Sequence, residues 1–133
     1  MAIATANANK LNDFLFGKTT YTPNTTYYIG LSTTTIKADG SGIKEPVGAG
    51  YSRVAVTNNK TSFTNSSGGI LSNKIQIEFP ESTSDWGTVT DVFISDAASG
   101  GNMLYFDKLT ASRIVQPNTI LLFDVGAMKI QIV

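Results

Sequence analysis

The side chains with which this chain could do chemistry are mainly carboxylates, because its 133 residues include no histidine and no cysteine. Their absence removes the commonest general base, thiol nucleophiles, disulfides and the usual zinc sites. Asp85, Asp91 and Asp96 punctuate one strand-like segment, and Glu78 and Glu81 precede it. A glycosidase needs two carboxylates held about 5–10 Å apart across a sugar. However, Asp85 and Asp96 lie where strand ends meet turns, the usual place for aspartate, so we predict no catalytic residue and no enzyme.

A bound cation is the other chemistry that carboxylates could support. Asp39 opens a glycine-rich stretch, Asp39–Gly42, and its carboxylate could supply one oxygen ligand. No EF-hand spacing follows, and one aspartate does not make a site. Asp39–Gly42 and Gly68–Gly69 also lack the lysine and the following helix that a phosphate-binding loop requires. We therefore expect no metal and no cofactor.

Aromatic and arginine side chains could act by contact instead. Trp86 and tyrosines such as Tyr51 and Tyr105 could form a stacking platform for a sugar. Aromatic residues spread through strands more often pack in a core or at a subunit interface, and both alternatives stay open. Arg53 and Arg113 are the only arginines. A planar guanidinium in a strand pairs well with a carboxylate or a backbone carbonyl, so we predict such a pair, within the chain or between subunits, for each arginine.

The overall composition excludes several classes of partner. Ten basic and ten acidic residues give a net charge of zero, which argues against nucleic acid, since phosphate binding needs a surplus of positive charge. No apolar stretch approaches the roughly 18 residues of a membrane span, and the first ten residues make a poor signal peptide. Synthesis in a cytosol and no contact with a membrane are therefore expected. Thr, Ser and Asn outnumber the charged residues, as is typical of β proteins with hydroxyl-rich surfaces.

The elements that must position these residues begin with a helix within residues 1–17. Its apolar residues recur at spacings of four, three and four, on one helical face: Ala4, Ala8, Leu11 and Leu15. Phe14 widens this stripe, Thr5 could cap the N-terminus, and Gly17 is placed to end the helix. We expect the helix to cover one open end of a sheet core.

After Pro23 the pattern changes to short strands separated by turns at intervals of about 8–12 residues, with a long loop at residues 33–50. The predicted strands are Thr25–Ser32, Tyr51–Thr57, Thr61–Thr64, Lys74–Phe79, Trp86–Asp96, Met103–Leu109, Arg113–Val115, Thr119–Asp124 and Ala127–Val133. The fifth and sixth should form a hairpin, and the last two should pair around Gly126. The chain is thus predicted to be one mainly β domain over residues 1–133. Its expected fold is an antiparallel β-sandwich or jelly-roll-like domain of about eight strands with one short N-terminal helix.

Several segments, taken in order, resemble a family of small proteins encoded by tailed bacteriophages and prophages, often labelled tail fibre proteins. The resemblance rests on these segments: Tyr28–Thr33, Asp39–Gly42, Gly50–Val54, Asp85–Val89 and Gly100–Asn102. It extends from the first helix to about Leu109. The family has no catalytic motif to carry over, so the resemblance implies a non-enzymatic structural component located in the virion and made in the bacterial cytoplasm.

Two virion roles are weighed. The favoured one is a capsid decoration protein, which binds the major capsid protein and stabilises its lattice, because fibre proteins are usually longer, with a shaft and a tip. The alternative is a subunit associated with the tail or tail fibre, which contacts tail proteins or the host surface. A free carbohydrate-binding module is a further possibility. Homo-oligomers are expected, and the candidate interface residues are Leu11, Phe14, Asp39, Glu45, Arg53, Trp86 and Asn102.

Overall fold

The computed structural model describes residues 1–132 of the chain, and it contains nine strands and one helix within them. The strands are β1 (Ala2–Ile3), β2 (Thr26–Ser32), β3 (Val54–Thr57), β4 (Ile70–Ser72), β5 (Ile77–Glu78), β6 (Gly87–Ser95), β7 (Met103–Val115), β8 (Leu122–Phe123) and β9 (Lys129–Gln131). The helix, α1, is Thr5–Leu15. The predicted mainly β, antiparallel fold with one short N-terminal helix is confirmed.

Five strands form the main sheet, in the order β1-β7-β6-β2-β3, and all neighbours are antiparallel. The predicted hairpin is confirmed as β6 and β7. Strand β7 is longer than predicted, because the pairing slips and the four residues Leu109–Ser112 bulge opposite the single residue Thr90. After this bulge, Arg113–Val115 resumes pairing with the start of β6, so the segment predicted as a separate short strand belongs to β7.

Two small sheets complete the fold, with β4 paired to β9 and β5 paired to β8. The prediction that the last two strands pair with each other around Gly126 is wrong. Strands of two or three residues have little register of their own, and their pairing follows the burial of residues such as Ile77 and Ile130. Ile75 lies in the predicted strand Lys74–Phe79, but β5 begins only at Ile77, and Ile75 is exposed. Val133, assigned by the prediction to the last strand, lies outside the described residues.

One continuous apolar cluster fills the space between the main sheet and the small sheets. Ile29, Val92 and Ile94 of the main sheet meet Ile77 and Ile130 of the small sheets. Full burial of such a side chain stabilises a fold by about 1.5–3 kcal/mol. The alternating apolar residues from which these strands were predicted therefore also hold the sheets face to face.

The other face of the main sheet is covered by the start of α1 and by the long loop. Ala4 and Ile36 pack against Phe93 and Met103 in a second, smaller cluster. The backbone N–H of Ile36 also donates to the buried Asp91 carboxylate at 3.2 Å. Residues 33–50 contain no strand, as predicted, but Ile36 fastens them to the sheet.

Helix α1 starts differently from the prediction, but its end agrees with it. Thr5 does not cap it: the N-cap is Ala4, which makes no side-chain cap bond, and the Thr5 N–H instead donates to the carbonyl of Ala38 in the long loop at 2.9 Å. Gly17 follows the helix with a φ of 77°, a left-handed conformation that favours glycine, as predicted. Leu15 is largely exposed, although it belongs to the apolar stripe of the helix.

Gly30 in β2 lies directly against the ring of Phe93, so this position should not accept a side chain. A Cβ there would stand 2.7 Å from Phe93 Cε1 and 2.8 Å from Cε2. We expect Gly30→Ala to lower the free energy of unfolding by about 1–3 kcal/mol, measured by urea denaturation. In a Phe93→Ala variant, which lacks the ring, Gly30→Ala should lower the free energy of unfolding by much less. Equal losses in both backgrounds would contradict the contact.

Candidate functional site

Glu45, near the end of the long loop, and Arg53, just before β3, form a two-bond ion pair. Arg53 Nε donates to Glu45 Oε1 and Nη2 donates to Oε2, each at 2.9 Å. The Arg53 side chain is only 6% exposed, so water screens the pair weakly. Paired parallel bonds of this kind are among the strongest hydrogen bonds in proteins. Arg53 was predicted to pair either within the chain or between subunits, and in the structure it pairs within the chain.

The same guanidinium also holds the tip of the β6–β7 hairpin. Arg53 Nη1 donates to the carbonyls of Ala97 at 2.6 Å and Gly100 at 2.9 Å. Its Cζ lies 5.0 Å from the centroid of the Phe93 ring, within the range of a cation–π contact. One arginine therefore joins the long loop, the hairpin and the outer face of the main sheet.

Tyr51 lies beneath this ion pair and connects it to the core. Its hydroxyl donates to Glu45 Oε1 at 2.6 Å and accepts from the Leu31 N–H at 3.0 Å. Burial and the Glu45 carboxylate raise the pKa of Tyr51 well above its usual range. Burial by itself would raise the pKa of Glu45, but hydrogen bonds from Arg53 and Tyr51 hold it below its usual value. Near neutral pH the cluster thus holds an ionised carboxylate and a neutral phenol.

Trp86 lies inside the fold. Its side chain is 5% exposed, and its Nε1 donates to the carbonyl of Ala49 at 2.9 Å. Its ring meets Tyr51 edge-on, with centroids 5.3 Å apart. Of the alternatives given for the aromatic residues, packing in the core is the one that applies to Trp86. Its inclusion among the contact residues needs correction, because the protein's own loop covers the indole.

Asp39 stands at the exposed tip of the long loop, where Ser41 is its partner. The Ser41 hydroxyl donates to Asp39 Oδ1 at 2.6 Å, and the Ser41 N–H donates to the same oxygen at 2.9 Å. These bonds lower the pKa of Asp39 and make a side-chain turn of the kind that aspartate favours. Within residues 1–132, no group of three or more acidic side chains is placed to hold a metal ion.

The structure gathers three of the candidate residues around one hollow, which we call the loop–hairpin surface: Asp39, Arg53 and Asn102. Asn102 is fixed there by Asp96, whose Oδ1 accepts from the Asn102 N–H at 2.7 Å and whose Oδ2 accepts from Nδ2 at 3.1 Å. The hollow measures about 190 Å³, below the roughly 300–1,000 Å³ of small-molecule pockets. It is better suited to contact with another protein than to enclosing a ligand.

The remaining candidates, Leu11 and Phe14, lie apart from that surface on α1. Leu11 is half-buried, and Phe14 is 48% exposed. Phe14 is followed by Leu15 at 69% and Phe16 at 79% exposure. We call these three consecutive residues the apolar knob. Sequence reasoning placed Leu15 on the buried stripe and passed over Phe16, although an uninterrupted apolar run before a helix-ending glycine was a usable signal.

Asp91 proves to be structural. It is 2% exposed, and its Oδ2 accepts the Ile36 N–H, so it positions the long loop. Arg113 is exposed and forms no ion pair with any residue in the described part of the chain. An acidic residue inside a strand rich in apolar residues was the available signal for the role of Asp91. No such signal marked the partnership of Glu45 with Arg53.

Comparison with known protein families gives a match over nearly the whole chain. A family model described as Podophage GP4 fiber I protein gp80 matches residues 2–131. No curated protein matches the chain. In the structure, no helix among the described residues is long and apolar enough to cross a membrane.

Proposed function

Because this chain belongs to the podophage GP4 fiber I protein gp80 family, and is therefore a virion structural protein, we propose that it is a non-enzymatic subunit of the tail fibres. The family description, which names a fibre protein, is the observation that carries the proposal. It favours the tail alternative over the capsid decoration role that the chain's short length suggested. Association with other virion proteins is implied by the same family.

The carboxylates support a role in structure rather than in catalysis. Glu45 is paired with Arg53, Asp91 holds the Ile36 amide and Asp96 holds Asn102. Glu45, Asp91 and Asp96 thus each have a partner and stabilise a loop or a turn. A chain whose acids are used in this way acts through its shape and surface.

The apolar knob is the proposed point of contact with a neighbouring virion protein. Apolar side chains that stand together in water cost free energy unless a partner covers them, so contiguous exposed apolar patches mark interaction sites. Phe14, Leu15 and Phe16 make such a patch. The loop–hairpin surface, stiffened by Arg53, is a second rigid contact region.

The location in the virion is tested with phage particles labelled by gold-conjugated antibody against this chain. Label on the tail fibres is the expected result. Label over the heads would overturn the proposal in favour of capsid decoration.

The role of the knob is tested with a Leu15→Asp/Phe16→Asp double variant, supplied to a phage that lacks the wild-type gene. Burial of one large apolar side chain is worth about 1.5–3 kcal/mol, so incorporation into particles should fall at least about tenfold. Val47→Asp, at an almost fully exposed apolar residue in the long loop, is the matched control and should be incorporated normally. Normal incorporation of the double variant, measured by immunoblot of purified particles, would rule out the knob as the contact.

A further inference from the structure

We propose that a cavity between α1, the segment 19–24 and the turn of the β6–β7 hairpin binds a neutral saccharide. We call it the polar cavity, and its lining includes Asn7, Asp13, Tyr21 and Asp96. It measures about 330 Å³, within the roughly 300–1,000 Å³ of small-molecule pockets. The inference goes beyond the proposed function, because a subunit in any part of the virion could carry such a site.

The polar cavity has room for one sugar ring. A cavity of roughly 150 Å³ accepts benzene, a six-membered ring without substituents. The polar cavity has about twice that volume. A pyranose ring therefore fits together with its hydroxyl groups.

Hydrogen bonds within the chain fix the walls of the polar cavity. The Thr19 N–H donates to the Asp13 carbonyl at 3.3 Å, so the chain is fastened to α1 directly after the helix. At the other end of the segment 19–24, the Asn24 carbonyl accepts from Asn58 Nδ2 at 2.8 Å. A site that is held in shape before binding loses less conformational entropy when it is filled.

Tyr21 and Asn7 give the polar cavity an aromatic ring beside a buried amide. Asn7 is 2% exposed. Its Oδ1 accepts from the Tyr21 hydroxyl at 3.1 Å, and its Nδ2 donates to the Leu104 carbonyl at 3.4 Å. Burial raises the pKa of Tyr21, so its hydroxyl is neutral near pH 7. A ring of this kind can pack against the C–H face of a sugar while its polar end meets the hydroxyls.

Two carboxylates supply the strong acceptors that sugar hydroxyls need. Asp96 is held in place by Asn102, which donates to both of its oxygens at 2.7 and 3.1 Å, and each carboxylate oxygen can accept a further bond. Asp13 is exposed and makes no ion pair within residues 1–132. Hydrogen bonds to an ionised acceptor are roughly twice as strong as bonds between neutral groups.

The charges of the lining favour a neutral ligand over an ion. The lining contains one base, Lys10, and two acids, Asp13 and Asp96. An anion such as phosphate would therefore meet a surplus of negative charge. A metal cation would be repelled by the Lys10 ammonium, and calcium takes 6–8 oxygen ligands. A polyhydroxyl compound is both a donor and an acceptor, and it matches a lining of carboxylates, amides and hydroxyls.

The test is saturation-transfer NMR on the purified full chain with a panel of neutral sugars: hexoses, 6-deoxyhexoses and N-acetylhexosamines. At least one sugar should bind, with a dissociation constant of about 1 mM, as is usual for so small a polar ligand. A panel without a binder would overturn the proposal. Displacement of the sugar by inorganic phosphate would also overturn it, because it would reveal an anion site.

Two substitutions locate the binding on the chain. Thr20→Trp, at an exposed residue of the lining, should fill the polar cavity and abolish the NMR signal. Asp13→Ala removes an acceptor but keeps the backbone carbonyl that holds Thr19, so binding should weaken at least about tenfold. Asp85→Ala is the matched control, an exposed acid before the opposite end of β6, and it should bind as the wild type does.

Circular dichroism and thermal melting establish that the variants are folded. Folded Thr20→Trp and Asp13→Ala proteins that bind the sugar with unchanged affinity would overturn the assignment to the polar cavity. An array of immobilised bacterial surface polysaccharides then distinguishes the source of the sugar. Binding to a polysaccharide at least tenfold tighter than to its monosaccharide would indicate a cell-surface glycan, and equal binding a free sugar. These measurements do not depend on where antibody labels the particle.

Discussion

Replacing Arg53 with alanine is expected to lower the free energy of unfolding by about 3–5 kcal/mol, as when one partner of a buried ion pair is removed. Arg53→Ala leaves the half-buried Glu45 carboxylate without its cation and frees the carbonyls of Ala97 and Gly100. It also uncovers the Phe93 ring. Urea denaturation followed by circular dichroism measures the loss.

Arg113→Ala is the matched control, because it removes the only other arginine from an exposed site. It should change the free energy of unfolding by less than about 0.5 kcal/mol. Arg53→Lys should lower the free energy of unfolding by less than Arg53→Ala and by more than Arg113→Ala, since lysine keeps the charge but cannot make the two parallel bonds. Similar losses at positions 53 and 113 would contradict the role given to the buried pair.

The same pair predicts how stability depends on pH. The folded protein holds the pKa of Glu45 below its unfolded value, so this contribution is fully present above the unfolded pKa of about 4.3. It is lost as pH falls through the lower, folded pKa. Glu45→Gln should flatten the stability curve in this acidic window, and an unchanged curve would show that other acids dominate it.

Trp86→Ala is the second substitution with a large expected effect, a loss of about 3–5 kcal/mol. The change leaves a cavity among Tyr51 and its neighbours and removes the donor to the Ala49 carbonyl. Much of the protein should be unfolded at 37 °C if its total stability is near the usual lower limit of about 5 kcal/mol. Differential scanning calorimetry measures the resulting fall in the midpoint temperature of unfolding.

Trp86→Phe separates packing from hydrogen bonding at this site. It keeps an aromatic ring and loses the indole N–H, so it should cost less than the alanine substitution. A fully folded, stable Trp86→Ala protein would contradict the core position. A loss of sugar binding in that variant would not by itself identify a sugar platform, since the variant is expected to be destabilised throughout.

The sequence-based predictions agree with the structure for the long strands and fail for the pairing of the short ones. Strands β2 and β6, with seven and nine residues, repeat their apolar residues often enough to determine both the secondary structure and the face that is buried. Strands β8 and β9, with two and three residues, have too few positions to specify a partner. Their pairing with β5 and β4 is determined by the core that they help to close.

The grouping of residues at the candidate site depended on tertiary structure even more strongly than the pairing of the short strands. Local patterns marked residues 33–50 as a loop and Arg53 as a residue in need of a partner. They could not show that Glu45 would be this partner, because the seven intervening positions of irregular chain leave its direction open. Three contact candidates, Asp39, Arg53 and Asn102, come together only because the loop folds back onto the hairpin.

The alternating apolar residues and the composition were sufficient to predict a mainly β chain, since these are properties of composition and of local periodicity. The expectation of a structural role came from the resemblance to phage proteins. Tertiary structure decided which apolar residues stay in water. Leu15 follows the helical pattern of a buried residue, yet it is exposed, whereas Ala4 at the start of the same stripe is buried. Periodicity identifies the face of a helix that can be buried, and only the packing of the whole chain decides how far along the helix a partner lies beneath that face.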